Sequence, residues 1–311
     1  MKFGRQLPTL REVITVVICL AVFLSVTGVF IGLRPEHLAI AALYLVLFLA
    51  SEASRKFAVA ILPFVIFGIS YDWMKLLPNY KVNPIDIKGL YDLEKSLFGI
   101  HEGGSVLIPG EYFARHHCMV ADFFSGIFYL CWVPVPILFG VIMYFLKKRD
   151  IYLRLAMAFL LVNLIGFAGY YIHPAAPPWY AIHYGFVPDL YTPGNTAGLG
   201  RFDALFNIHL FEGIYGRNSN VFAAVPSLHA AYMVIPLFYS VRAKCRWWVT
   251  ALFAIIMVGI WCTAVYTTHH YVIDVLLGIA CACLALFIFE KVLMKWKCFV
   301  RFFKKYLNYI S

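Results

Sequence analysis

Charge is scarce in this chain. Only 14% of its 311 residues are Asp, Glu, Lys or Arg, while 62% are hydrophobic and 18% aromatic; an ordinary soluble domain carries about 25% charged residues. That deficit excludes a soluble globular protein and reads as an integral membrane protein. Cys-x-x-Cys pairs are missing as well. The eight cysteines, at positions 19, 118, 131, 245, 262, 281, 283 and 298, all lie in or beside apolar stretches. Neither a zinc knuckle nor a dithiol redox motif is indicated, which leaves buried, unreactive thiols. Internal repeats and low-complexity tracts are absent too, so solenoids and disordered arrays are excluded.

What the chain has in abundance is long apolar runs. About 20 apolar residues cross a bilayer, and eight stretches approach that length: 13–33, 38–50, 57–71, 119–146, 151–172, 226–241, 247–267 and 272–293. The second, third and sixth are short, so one of them is a candidate re-entrant segment. The first is too long for a signal-peptide core and lacks a small-residue cleavage site, which makes it an anchor. The expectation is an all-α, polytopic helical bundle of about six to eight membrane helices.

The basic residues orient it. With the N-terminus inside, 18 of the 26 Lys and Arg residues fall in cytoplasmic pieces and 8 on the other side, as the positive-inside rule requires when both termini are cytoplasmic. The net charge of +10 is then topology and contact with anionic lipid heads, and no nucleic-acid partner is called for. Two long segments face the other side. Residues 85–99, "IDIKGLYDLEKSLFG", place Ile85, Leu90, Leu93, Leu97 and Phe98 as on a helix lying in the interface. Residues 173–225, rich in Pro, Gly, Asn and aromatics, read as an ordered loop. The organisation expected is N-terminal membrane helices with an interfacial segment over 1–118, a membrane domain over 119–293, and a basic, aromatic cytoplasmic tail over 294–311.

Chemistry concentrates in two places. "THHYVID" (268–274) sets His270 four residues before Asp274, one turn apart if both lie on a helix. The aspartate then accepts from one ring nitrogen and leaves the other unprotonated and nucleophilic. Bland packing through the same hydrogen bond is the competing reading, but ionisable residues in a membrane are functional candidates by default. "AAVPSLHAAY" (223–232) supplies His229, which the topology brings to the same membrane face across one hairpin. Ser227, after a proline, is placed to cap the helix and, with free backbone N–H groups, to receive an anion. A nucleophilic histidine with its aspartate, a second histidine as proton donor and an anion site fit phosphoryl transfer through a phosphohistidine. His269, about 100° from His270 on a helix, is expected only to support. His116 and His117, with His101 or Glu111, make a weak metal candidate, and no metal is assigned. Asp122 reads as helix-dipole stabilisation in the first turn of the fourth span.

These blocks resemble a known family. "PSLH" followed by "HHYVID" resembles signature blocks of the type 2 phosphatidic acid phosphatase (PAP2) superfamily. "HPAAPPWY" (173–180), "GLGRFDALFNIHL" (198–210), "NSNVFAAVPSLHAAY" (218–232) and "YTTHHYVIDVLLG" (266–278) together resemble the inositol phosphorylceramide synthases. The resemblance implies a six-helix PAP2-like core in the 119–293 domain, with His270 as nucleophile, Asp274 as its orienting partner, His229 as general acid/base, and no cofactor or metal. It implies phosphatidylinositol and a ceramide-like alcohol as lipid substrates. The site would face the periplasm from a bacterial inner membrane, or the Golgi lumen in a eukaryote. Two departures stand out. No Lys-x6-Arg-Pro block occurs upstream, and Thr263-Ala264 stands where a Ser-Arg pair would precede the histidine. Arg201 and Arg217, the only basic residues of the 173–225 loop, are the substitute phosphate ligands, Arg201 being the preferred one. A phosphodiester carries less charge than a monoester, so fewer cations favour transfer over monoester hydrolysis. A lipid phosphate phosphatase with water as acceptor remains the alternative. A transporter predicts ionisable residues spread through the midplane, and here they gather at one face.

Overall fold

The computed structural model describes residues 7–216 and 220–311, so Arg217 lies outside the described residues. The chain divides into two compact units, Met1–Leu77 with Trp296–Ser311, and Pro78–Lys295.

In the first unit, α1 (Leu10–Phe30) begins three residues before the apolar run because Thr9 and Glu12 form a capping box. The Thr9 hydroxyl accepts from the Glu12 N–H, and the Glu12 carboxylate accepts from the Thr9 N–H at 2.8 Å. α2 (Pro35–Ala50) opens on a proline, whose missing N–H is no loss in a first turn. The stretch expected over 57–71 is broken instead into α3 (Glu52–Ala60) and α4 (Leu62–Trp73), bent by 48°. Pro63 has no N–H to continue the ladder. The C-terminal helix Lys297–Ile310 buries Phe303 and Ile310 while its lysines stay outside, and the Tyr306 hydroxyl donates to the Val59 carbonyl at 2.6 Å.

The second unit begins with α5 (Lys88–Phe98), a hairpin of β1 (Ile100–Glu102) and β2 (Ser105–Leu107), and α6 (Pro109–Arg115). The span expected over 119–146 is two helices, α7 (Met119–Leu130) and α8 (Pro134–Phe145), bent by 44° where Pro134 and Pro136 interrupt the ladder. α9 (Arg149–Ile172) follows, then α10 (Pro178–Tyr184), α11 (Gly200–Phe206) and α12 (Leu210–Tyr215) within the long loop. The sixth stretch is split into α13 (Leu228–Tyr232) and α14 (Val234–Arg242), because Pro236 cannot bond back to the Tyr232 carbonyl. α15 (Trp247–Tyr266) and α16 (Val272–Phe287) complete the bundle. Among the described residues four helical runs are long and apolar enough to cross a membrane, or six if each bent pair is one span. The shorter apolar helix α2 stands beside these, in keeping with the expected polytopic bundle.

Small residues let the α13 segment sink into the bundle. A Cβ at Gly166 or Gly169 of α9 would stand 2.4 Å from Leu228 or 2.5 Å from Pro226, and one on Gly278 of α16 would stand 2.1 Å from the Ser227 carbonyl oxygen. Only bare Cα atoms allow such an approach. Just beyond the end of α16, Glu290 accepts from Arg154 and Arg242, both at 2.8 Å, and from the Tyr239 hydroxyl at 2.9 Å, so α9, α14 and the turn that follows α16 are tied together. The described residues of the loop over 173–225 are held by backbone bonds. Ala175 donates to the Phe222 carbonyl at 3.1 Å, and Asp86 donates to the Pro174 carbonyl at 2.8 Å.

Candidate active site

The site is built on the turn between α15 and α16. Thr268 sits there at φ 60°, a left-handed conformation that a β-branched residue adopts only under constraint. The constraint is visible: the Thr268 carbonyl accepts from Trp179 at 3.0 Å, and the Thr267 carbonyl accepts from Gly198 at 2.9 Å. The long loop therefore clamps the turn. His270 is anchored by its own N–H to the Ala264 carbonyl at 2.9 Å.

His270 is not on a helix but in the short turn between the last two spans. It precedes the N-cap residue Tyr271, and α16 starts at Val272. Its pairing with Asp274 survives because Asp274 stands in the first turn and reaches back. One oxygen, Oδ2, accepts from the Tyr271 N–H at 2.9 Å and lies 3.3 Å from His270 Nδ1. Asp274 is fully buried, so its carboxylate holds the imidazole rather than water. With Nδ1–H donating to the carboxylate, His270 Nε2 carries the lone pair.

That lone pair faces His229. His229 Nδ1 is 3.2 Å from His270 Nε2, with the rings inclined by 53°, and a hydrogen bond there requires His229 Nδ1 to donate. The His229 ring is held between Tyr129, stacked at 4.8 Å, and Trp132 at 4.4 Å. Its helix is pinned at the start: Ser227 donates its N–H to the Asp274 carbonyl at 2.9 Å, and its hydroxyl accepts from Ala230 at 3.3 Å. Ser227 thus caps α13, as its position after a proline predicts. A local pair and a histidine 41 residues away form one continuous relay, from Asp274 to His270 to His229.

Arg201 is not a solvated loop arginine. Its Nε donates to Asp122 Oδ1 at 2.6 Å, and the same oxygen accepts from the Tyr266 hydroxyl at 2.9 Å. Asp122 therefore does more than favour a helix dipole: it positions the guanidinium, whose Nη2 remains buried without a partner. His117 Nδ1 lies 3.4 Å from Asp122, His116 pairs with Glu102, and Glu111 turns to the Tyr91 hydroxyl. The four residues weighed as a metal set are thus engaged separately or apart.

Two further residues contribute, Glu94, which sequence reasoning missed, and His269, which it read only as supporting. Glu94, on the helix expected to lie in the interface, is 1% exposed. Its two carboxylate oxygens accept from the free N–H groups of Val272 at 2.8 Å and Ile273 at 3.2 Å, so it caps the helix that carries Asp274. Burial pushes its carboxyl up to about 7 against the pull of those two N–H groups, and the Asp274 charge adds to the rise. Leu93 and Leu97 on the same helix are exposed, as an interfacial face requires. The second is His269. Off the helix it does not turn away from the site, but lies buried between the rings of Tyr129 and Tyr215.

The comparisons with known proteins bear on this geometry directly. The family model described as the PAP2 superfamily matches residues 90–288, a stretch that contains Glu94, Asp122, Arg201, His229, His270 and Asp274. The chain belongs to the PAP2 superfamily. It is 65% identical over 305 residues, 98% of this chain and all of the relative, to a phosphoinositol dihydroceramide synthase of Bacteroides thetaiotaomicron. It is 33% identical over 172 residues to the inositol phosphorylceramide synthase catalytic subunit of Schizosaccharomyces pombe, covering 52% of this chain and 40% of that one. To the inositol phosphorylceramide synthase of Candida albicans it is 30% identical over 173 residues, 52% of this chain and 35% of the relative. No solved structure matches. Within the PAP2 superfamily these relatives are synthases, in line with the lipid phosphotransferase expected from the motifs.

Proposed function

We propose that this membrane enzyme moves a phosphoinositol head group from phosphatidylinositol to dihydroceramide or a related lipid alcohol, through a phosphohistidine on His270. The observation that carries the reading is the buried Asp274–His270–His229 relay, with the unprotonated Nε2 of His270 facing a proton donor. The substrate classes come from the relative that matches along its whole length.

In the first half-reaction the docked phosphodiester displaces the His229–His270 hydrogen bond. His270 Nε2 attacks phosphorus, the bond to the diacylglycerol oxygen breaks, and His229, acting in its protonated form, gives that oxygen a proton. Diacylglycerol leaves. In the second, His229 takes the proton of the acceptor hydroxyl as that oxygen attacks phosphorus and frees His270. Asp274 keeps the His270 tautomer throughout. Arg201 Nη2, oriented by Asp122 and Tyr266, is the group proposed to meet a phosphate oxygen. The Ser227 hydroxyl hydrogen, whose oxygen already caps α13, is a further candidate, as is Arg217 from its place in the sequence. Lipids reach the relay sideways from the bilayer, so water need not be admitted. The excess of basic residues on the opposite side supports a site on the periplasmic face of a bacterial inner membrane.

The test uses purified protein in micelles with head-group-labelled phosphatidylinositol, with and without dihydroceramide, beside His270→Ala. A new labelled sphingolipid that requires His270 is the expected result. Water-soluble inositol phosphate instead would convert the assignment to a hydrolase, and turnover surviving His270→Ala would overturn the phosphohistidine.

A further inference from the structure

His269 is the least explained polar group beside the relay. It is 5% exposed, and its ring lies 4.6 Å from that of Tyr215 and 5.3 Å from that of Tyr129. Its tautomer follows from its neighbour. The Thr267 hydroxyl donates its single hydrogen to the Thr263 carbonyl at 2.7 Å, and the same oxygen lies 2.9 Å from His269 Nδ1. The hydroxyl has no second hydrogen to give, so Nδ1 must carry the N–H and Nε2 the lone pair. Burial, with the adjacent His270, pushes the ring's pKa down to about 3; at neutral pH that nitrogen stays an acceptor.

The acceptor has nothing to accept. Among the described residues Nε2 is buried with no hydrogen-bond partner, a condition that costs about 1–3 kcal/mol and calls for an explanation. A second unmatched atom lies close by in the fold. Arg201 Nη2 is a buried donor without a partner, 2.9 Å from where a Cβ of Gly198 would stand, and the Gly198 N–H is bonded to the Thr267 carbonyl. An unsatisfied donor and an unsatisfied acceptor thus flank Thr267, three residues before the nucleophile. Donor and acceptor are complementary, yet neither is bonded to the other or to any group among the described residues; the guanidinium is suited to an anionic oxygen and the imidazole lone pair to an O–H. One ligand that carries both, a phosphate bearing hydroxyls or approached by one, completes the two together.

We propose that His269 Nε2 binds a substrate hydroxyl, and so makes His269 a specificity-determining residue of the transfer. This rests on the phosphotransferase reading above. The hydroxyl belongs either to the polyol head group of the donor or to the acceptor lipid, and the two sources separate kinetically. His269→Phe keeps an aromatic ring between Tyr129 and Tyr215 and removes the acceptor. His269→Gln keeps an acceptor oxygen near the position of Nε2. Melting temperature in detergent reports whether each variant is folded.

The expected result is a rise of about tenfold in one KM for His269→Phe, most of it recovered in His269→Gln. A rise in the phosphatidylinositol KM alone assigns the hydroxyl to the head group. In that case a head group lacking hydroxyls, such as phosphatidylcholine, competes no better with the wild type than with His269→Phe. A rise in the dihydroceramide KM alone assigns it to the acceptor. Both KM values within twofold of wild type overturn the proposal, as does an equal loss in the Phe and Gln variants with lowered melting temperature, which marks a structural role. A wild-type protein that transfers no head group at all fails the underlying reading instead, and that result is visible in the same assay before any variant is compared.

Discussion

Replacing Gly278 by alanine adds one methyl group and changes no charge, yet it should disable the enzyme. An ideal Cβ at this position lies 2.1 Å from the Ser227 carbonyl oxygen, 3.0 Å from the Ser227 carbonyl carbon and 3.2 Å from the Ala230 side chain. A carbon and an oxygen in contact normally stand about 3.3 Å apart, so the two segments must separate by roughly 1 Å. The obstructing atom is backbone, and no rotamer change relieves it. Ser227 is bonded to the Asp274 carbonyl at 2.9 Å, and His229, two residues on, meets His270 at 3.2 Å; a shift of that size breaks the second contact if the first holds. Overpacking of this kind destabilises by about 1–3 kcal/mol, and a misplacement of about 1 Å at reacting groups lowers rates by roughly 100-fold. The head-group transfer assay should therefore show kcat down between tenfold and 100-fold, with the protein still folded by its melting curve. Gly68→Ala is the control, since nothing lies within 4 Å of a Cβ there. Transfer by Gly278→Ala within threefold of wild type would refute the argument that this close approach sets the His229–His270 distance.

Two further outcomes follow from the packing. Glu94 has a folded-state carboxyl raised from 4.5 to about 7, so between those values the folded protein holds a proton that the unfolded chain has released. That contribution to stability is full below about pH 4.5 and is lost as pH rises through 7. The wild-type melting temperature should accordingly fall more steeply between pH 5 and 8 than that of Glu94→Gln, which cannot ionise, and parallel curves would show that Glu94 does not titrate in this window. Glu290→Ala removes the acceptor shared by Arg154, Arg242 and Tyr239, although Arg154 retains Asp150 at 2.9 Å. Stability should drop by about 2 kcal/mol, read as a lower melting temperature. The site lies some 24 Å away along α16 by helical rise, so kcat should stay within twofold; a large loss of turnover in a protein of unchanged stability would contradict this.

The relay was legible before any coordinates because its parts are local or topological. His270 and Asp274 are four residues apart, and that spacing keeps them together even though His270 precedes the helix and only Asp274 lies on it. His229 was placed on the same face by counting hydrophobic spans, which report on the bilayer rather than on side-chain packing. The breaks at residues 61, 131–133 and 233 were less legible, because a proline in an apolar run is compatible with a kink, a bend or a new helix until neighbours decide.

What the sequence by itself determined is the membrane class, the run of helical segments and the bringing together of Asp274, His270 and His229, since hydropathy and short spacings act locally. Tertiary structure alone decided that Glu94 caps α16 from 178 residues away, that Asp122 turns Arg201 inward from 79 residues away, and that Gly278 admits the Ser227 carbonyl. Each of these is a contact between segments whose separation along the chain carries no record of their distance in space. A buried carboxylate or a missing Cβ acquires its meaning only from the atoms packed against it.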